Sequence, residues 1–269
     1  MEEDFSKYNG EGTILRKAQL KMLEILVEVD KVCKKHGIEY WLDFGTLLGA
    51  VRHQGFIPWD DDLDISVRRK DYKRLCEILK KELPDWLFVQ THATDKYYKA
   101  KFAKVRDKYS VFSEPGWNGK SMQRGIFIDI FPVEPGHVSS KKMLDFLYTR
   151  TFNRLRHYDG NKWEMPVAYL MSPFVYGALY FLRTINPLFS GKMIYSYGIK
   201  LPFPRQFQLN SDHIFPLKSL TFEGHEFMVP ADPDQYLTNL YGNYMQVPAE
   251  ENRRQHALEI TFIDNKFQQ

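Results

Sequence analysis

The stretch Trp41–Ser66, WLDFGTLLGAVRHQGFIPWDDDLDIS, decides how this chain is read. A Gly-Thr pair, Gly45 and Thr46, precedes four aspartates in five positions, Asp60, Asp61, Asp62 and Asp64. Asp62 and Asp64 flank Leu63 at the start of an apolar run, and alternation along a strand turns both side chains the same way. Neighbouring carboxylates repel; a cation between them relieves the repulsion, and hard oxygen ligands favour Mg²⁺ or Mn²⁺. A third carboxylate, Asp129, sits in GIFIDIF among Ile126, Phe127, Ile128, Ile130 and Phe131, where an ionised group is costly to bury without a partner. Alone, an Asp-x-Asp is equally a solvated turn, and a buried Asp129 equally the partner of a lysine or arginine. With Gly45 and Thr46 upstream, the three carboxylates describe a metal and phosphate site. Gly45 lets backbone approach a phosphate, and Thr46 brings a hydroxyl to a helix N-terminus whose free N–H groups attract anions.

The rest of the chain bounds what such a site can belong to. With 269 residues, 43% of them hydrophobic, there is enough chain for a large core. A net charge of +3 argues against a dedicated nucleic-acid binder. Cys33 and Cys76 offer neither a disulfide framework nor a zinc spacing, and the acidic start MEEDFSKYNGEG lacks the pattern of a secretory signal, so the expected location is the cytoplasm. One uncharged run, VAYLMSPFVYGALYFL at 167–182, is shorter than the roughly 20 residues of a membrane span and contains Pro173 and Gly177. It reads as a core helix or, given Arg150, Arg154, Arg156 and Lys162 before it and Arg183 and Lys192 after it, as an interfacial helix making peripheral contact with the inner face of a membrane.

Hydrophobic periodicity predicts a helix over Thr13–His36 ended by Gly37, a strand over Ile38–Phe44, a helical turn over Thr46–Arg52, a strand over Leu63–Val67 and a helix over Asp71–Leu83. Strands are expected near Phe88–Thr91, Tyr98–Val105 and Gly125–Phe131, then mainly helix from Ser139 to Lys200. Near the end, a hairpin should turn at Glu223-Gly224, and a helix should start at Asp232 with Pro233 in its first turn. The fold class is α/β (α+β), with a small mixed sheet.

The pattern G-T-L-L-G-A-V-R-H-x-G-F-I-P-W-D-D-D-L-D-I resembles the LicD family, which shares the nucleotidyltransferase fold with fukutin-related proteins. The likeness is very specific over Tyr40–Val67 and extends more loosely to AKVRD at 103–107, IFIDIFPVE at 126–134 and YGNYMQVP at 241–248. It implies a nucleotidyltransferase-like catalytic core over 1–138 and a mainly helical, acceptor-binding region over 139–269. It also implies transfer of phosphocholine from CDP-choline to a sugar hydroxyl of a lipid-linked glycan precursor such as teichoic or lipoteichoic acid, or of ribitol phosphate from CDP-ribitol in the fukutin-related branch. Asp62 and Asp64 carry over as metal ligands, Asp129 as a ligand or as the base near the acceptor hydroxyl, and Gly45 and Thr46 as holders of phosphate oxygens.

Three cations, Arg52, Lys104 and Arg106, are candidates to neutralise the diphosphate, although each is equally a structural ion pair. His53 reads as a structural histidine. A quaternary ammonium has no N–H to donate, so a choline site should use aromatic faces: Trp41, Trp59 and Trp117, with Tyr40 and Tyr109 behind them and Glu114 or Glu134 adding charge. Core packing is the competing reading for each ring. The rival functions are transfer of another phospho-alcohol, a true nucleotidyltransferase, a sugar-nucleotide glycosyltransferase, and a silent scaffold subunit at a membrane.

Overall fold

A short helix α1 (Ser6–Asn9) leads to Thr13, whose hydroxyl accepts from Arg16 N at 3.2 Å and caps α2 (Ile14–His36). Gly37, at φ 61°, ends α2 in the left-handed region that favours glycine. The computed structural model describes residues 4–98, 100–114, 123–137, 173–174, 177, 181, 193–197, 209–253 and 255–263. They fall into two compact units, one from the residues up to Val133 together with those from Asp212 onward, the other from Glu134–Ser211.

The first unit is built on the strand order β1 (Tyr40–Leu42), β2 (Asp64–Arg68), β6 (Phe127–His137), β4 (Ala103–Asp107), β3 (Leu87–Gln90). Only the β2–β6 pair is parallel. Between β1 and β2 lies α3 (Phe44–His53), and after β2 comes α4 (Arg69–Glu82). Alternation gives the sheet two unlike faces. Leu42, Ile65, Ile130 and Ala103 are cross-strand partners, all buried, and with Val67, Ile128, Val105 and Val89 they make the apolar face on which α2 and α4 pack. Asp64, Asp129, Lys104 and Gln90 are also cross-strand partners in one row, and they belong to the other face. A further strand, β5 (Ser110–Ser113), pairs with β11 (Glu259–Phe262) near the chain's end, a pairing that no local pattern announces.

In the second unit the end of β6, from Glu134, pairs antiparallel with β7 (Met193–Ser196), which pairs with β8 (Leu209–Asn210). Most of the helix expected over 139–200 lies outside the described residues, and the part that is described at 193–196 is strand, because its backbone groups pair with β6 and β8. Of the uncharged run 167–182, Phe174 and Phe181 are described and exposed, whereas Leu170 lies outside the described residues. Among the described residues no helix is long and apolar enough to cross a membrane.

From Asp212 the chain returns to the first unit rather than continuing a separate C-terminal region. After a single turn, α5 (Ser211–Ile214), come the hairpin β9 (Lys218–Phe222) and β10 (His225–Val229), and then α6 (Pro233–Tyr241), capped by Asp232 accepting from Gln235 N at 3.1 Å. Burial of Phe222, Phe227, Val229, Tyr236, Leu237 and Leu240 explains the return: β10 packs by β1, and α6 by α3. The hairpin turns at Glu223 (φ 50°) and Gly224 (φ 77°), as its Glu-Gly sequence predicts.

That turn also clamps the loop that follows α3. Arg16 on α2 donates a two-pronged pair to Glu223, 3.0 Å to Oε1 and 2.7 Å to Oε2, while Phe56 N donates to Oε1 at 3.0 Å and Glu223 N donates to Gln54 O at 3.0 Å. Burial opposes the charge of Glu223, but these donors outweigh it and hold the carboxyl below its usual range. The clamp's contribution is therefore present above the ordinary glutamate range and is lost as pH falls through the lowered value. Glu223→Ala should lower the unfolding free energy by roughly 1.5–3 kcal/mol near neutral pH, read as a shifted urea midpoint, with a smaller difference in acid. An unchanged midpoint at neutral pH would show the clamp to be idle.

Candidate active site

Register places the central side chains. Asp64 on β2 lies directly opposite Asp129 on β6, and Lys104 on β4 lies opposite Asp129 from the other side. The Lys104 ammonium stands 2.8 Å from Asp129 Oδ1 and donates to Oδ2 at 3.1 Å, with both side chains buried. Its Nζ also sits over the Phe127 ring, 3.3 Å from the centroid. Oδ1 of Asp129, though close to the ammonium, has no hydrogen bond among the described residues.

The acid loop is shaped from four directions. Gln19 of α2 donates to Asp60 O (2.9 Å) and Ile57 O (3.3 Å). Asp61, wholly buried, accepts from His256 N (2.8 Å) and Ala257 N (2.7 Å), while its Oδ1 lies 3.0 Å from His256 Nδ1, so it is an anchor for the C-terminal segment. Thr46 accepts from Asp64 N at 2.8 Å and ties the start of α3 to the start of β2. A Cβ at Gly45 would meet Asp60 Oδ2 at 2.5 Å, so the absent side chain is what admits that carboxylate. Beneath the loop, Asp43 caps α3 by accepting from Phe44 N (2.8 Å), and it also accepts from Ser66 Oγ and from Tyr236 OH (2.8 Å). Phe44 takes a left-handed φ of 43° between this cap and Gly45, a conformation that costs a bulky residue about 1–3 kcal/mol.

Burial and mutual repulsion work against ionisation of the crowded carboxyls. Burial, and after it the charges of Asp62, Asp129, Asp43 and Asp60, holds the Asp64 carboxyl well above its usual range. Burial and then Asp62 and Asp61 do the same to Asp60, which shares a hydrogen bond with Asp62. Asp129 is pushed up by burial to about 6 even with Lys104 beside it. His256 is pushed up to about 9, chiefly by its bond to Asp61, and its ring lies 3.7 Å from Asp62 Oδ2. Asp62, a quarter exposed at its side chain, is the aspartate of the pair that opens to solvent. Among the described residues no three His, Cys, Asp or Glu side chains form a closed metal-holding group. What the site offers a hard divalent cation is the chemistry of its donors, the carboxylate oxygens of Asp62 and Asp64, with Asp129 across the register already paired to Lys104.

A family described as LicD/FKTN/FKRP, nucleotidyltransferase domain, matches residues 37–174, about half of the chain and all of the strands that carry the carboxylates. The chain belongs to the LicD family. The lipopolysaccharide cholinephosphotransferase LicD of Haemophilus influenzae is 27% identical over 272 residues, 93% of this chain and 98% of that protein. Likeness along nearly the whole of both chains marks this LicD-family member as a LicD-type transferase. Human ribitol 5-phosphate transferase FKRP is 45% identical over 49 residues, 18% of this chain and 10% of that protein, and mouse ribitol-5-phosphate transferase FKTN is 30% identical over 121 residues, 45% of this chain and 22% of that one.

Several side chains singled out by the LicD resemblance and by chemistry are spoken for within the fold. Arg52 donates to Tyr244 O (2.7 Å) and to His53 Nε2 (3.0 Å), and His53, held down to about 4 by burial and then by Arg52, is neutral. Arg106 is buried on Gln90 Oε1, on Gly125 O (2.8 Å) and near Glu114 (3.5 Å). Trp41 is wholly buried and donates to Tyr236 OH at 3.2 Å; Tyr40 donates to Asp30. Trp59 is covered by Phe5 and Tyr8 and by the Arg253 guanidinium, 4.7 Å from its ring. Tyr109 is partly exposed, Glu134 sits at the start of the second unit, and Trp117 lies outside the described residues.

Asp43, Gln19, Asp61 as an anchor, and His256 were not foreseen in these roles. Asp43 had a local signal, an aspartate at the N-cap position before a helical run. His256 had none, being 195 positions from its partner.

The Lys104–Asp129 pair yields a direct test. Lys104→Met leaves a buried carboxylate unopposed and should cost about 3–5 kcal/mol of stability in urea unfolding, most of it recovered in the double variant Lys104→Met/Asp129→Leu. Equal stability of wild type and Lys104→Met would remove the pair from the account of the site.

Proposed function

We propose that the chain transfers phosphocholine from CDP-choline to a sugar hydroxyl of a cell-surface glycan, releasing CMP. The observation that carries the reading is the Asp64–Asp129 register beside an open Asp62, in a chain similar over nearly its whole length to a cholinephosphotransferase. The acceptor oxygen attacks the β-phosphorus, and the bond from that phosphorus to the CMP oxygen breaks. Asp62 and Asp64 would hold Mg²⁺ or Mn²⁺, which when bound supplies charge neutralisation on the diphosphate. Asp129, kept in place by Lys104, orients or accepts the proton of the attacking hydroxyl. Thr46 has a hydroxyl hydrogen still to donate toward a phosphate oxygen. The acceptor belongs with the glycan named for the Haemophilus relative or with teichoic and lipoteichoic precursors, which share a sugar hydroxyl as nucleophile.

A second phospho-alcohol is supported by one observation: two of the relatives alike over part of the chain, human FKRP and mouse FKTN, are ribitol phosphate transferases. A panel of CDP-choline, CDP-ribitol and CDP-glycerol, each labelled with ³²P on the β-phosphate, separates the readings. With the correct donor all transferred label should enter the glycan and none should remain in CMP. Pyrophosphate released from CTP, or transfer from a UDP-sugar, would replace this reading with a nucleotidyltransferase or a glycosyltransferase. Asp62→Asn should cut turnover about 100-fold or more while the melting midpoint holds; full turnover in that variant would sink the metal assignment.

Peripheral membrane contact through 167–182 is part of the same proposal, supported by exposed Phe174 and Phe181. The protein should sediment with anionic vesicles at moderate salt. Recovery entirely in the supernatant would return that segment to an ordinary structural role.

A further inference from the structure

We infer that His256 is a positioning residue for Asp62, its Nδ1–H edge ordering that carboxylate for the cation. The inference rests on the metal role given to Asp62 in the proposed function and deepens it. His256 belongs to a strap that is fixed on both sides. Before it, Arg253 stacks on Trp59, 4.7 Å from the ring, and donates from Nε to Pro248 O at 3.0 Å; after it, Leu258 N donates to Ser113 O at 2.8 Å and β11 joins β5. Between these holds, His256 N and Ala257 N donate to the buried Asp61 carboxylate at 2.8 and 2.7 Å.

The ring is set along with its backbone. Nδ1 lies 3.0 Å from Asp61 Oδ1, and a carboxylate that already takes two backbone N–H groups can only accept, so Nδ1 carries the hydrogen of this bond. The same nitrogen stands 3.7 Å from Asp62 Oδ2, beyond a hydrogen bond but within reach of the charge. This holds for the neutral ring as for the charged one, because Nδ1–H is the donor in both. Asp62 needs such a neighbour. Asp64 is set by the ladder, opposite Asp129 and tied through its N–H to Thr46, whereas Asp62 stands two residues ahead of the first paired position of β2 and is a quarter exposed. An aspartate outside the ladder keeps several rotamers, and a cation that binds it must freeze them. The electropositive edge of His256 favours those that bring Oδ2 toward it, so part of the ordering precedes the cation.

Manganese gives a readout that needs no turnover. Mn²⁺ binding, followed by loss of the free-ion EPR signal, should weaken about tenfold in His256→Ala with the melting midpoint unchanged, since both backbone donors to Asp61 remain. His256→Asn puts an amide N–H where Nδ1 stands and should bind within about threefold of wild type, while His256→Gln, whose amide reaches the place of Nε2, should bind as weakly as the alanine variant. Should His256→Ala fail to fold, the Asn and Gln variants decide between themselves. Equal binding by wild type and His256→Ala, or by the Asn and Gln variants, overturns the inference and leaves the metal role of Asp62 standing. A nitrogen bound to Mn²⁺ in pulsed EPR also overturns it, because His256 is then a ligand. Absence of Mn²⁺ binding by wild type overturns it together with the metal assignment. Binding by a wild type that turns over no CDP-alcohol removes only the proposed transfer, and the same ratios still decide His256.

Discussion

The parallel pairing of β2 with β6 sets Asp64 beside Asp129, and the chemistry available to this protein depends on that register. A slip of β2 by one residue would turn Asp64 into the apolar face under α2 and α4 and bring Ile65 out in its place, while Asp129 stayed where its pairing with β4 holds it. Such an exchange is prohibitive because the face below is packed with Ile65, Ile128, Ile130 and Val105, none of them exposed. Core packing thus fixes the positions of two like charges that would otherwise move apart. Lys104 answers one of them, and the remaining repulsion is what a cation or a phosphate-bearing ligand with its metal can relieve.

Holding an acid loop in such a place takes support from distant segments. Gln19 grips its backbone from α2, Glu223 braces the approach to it through Phe56, and Asp43 joins the head of α3 to Tyr236 of α6. Each contact is a modest net gain, about 0.5–1.5 kcal/mol for a neutral hydrogen bond and more where a charge takes part. Their joint effect is geometric: they restrict where Asp60, Asp62 and Asp64 can go. The left-handed Phe44 is tolerated inside this frame because the cap at Asp43 and the missing side chain at Gly45 both require the chain to turn there.

The sequence disclosed the parts of this arrangement that are local. The α2 periodicity, the Glu223-Gly224 turn, the Asp232 cap and the Asp-x-Asp strand all follow from near neighbours, and the structure places them within a few residues of the positions read. Contacts between remote segments were not readable. Nothing near Lys104 says that it will spend its charge on Asp129, and nothing near Trp41 says that its indole will bond to Tyr236 rather than face a ligand. The aromatic richness that suggested a choline site serves, at Trp41 and Trp59, to pack the core and to stack on Arg253. The long-range pairing of β5 with β11 escaped for the same reason.

Asp61 has a consequence for the order in which the chain matures. Its carboxylate is satisfied by the backbone of His256 and Ala257, which a ribosome adds 195 and 196 residues later. Until then Asp61 has no such partners, and the loop that carries Asp62 lacks the contact that sets it. The sheet can form earlier from the segments through β6, but the acid loop reaches its working shape only once nearly all of this sequence has been made. A nascent chain can therefore hold every carboxylate of the candidate site and still lack the contact that sets the Asp62 loop, until residues 256 and 257 have folded back onto Asp61.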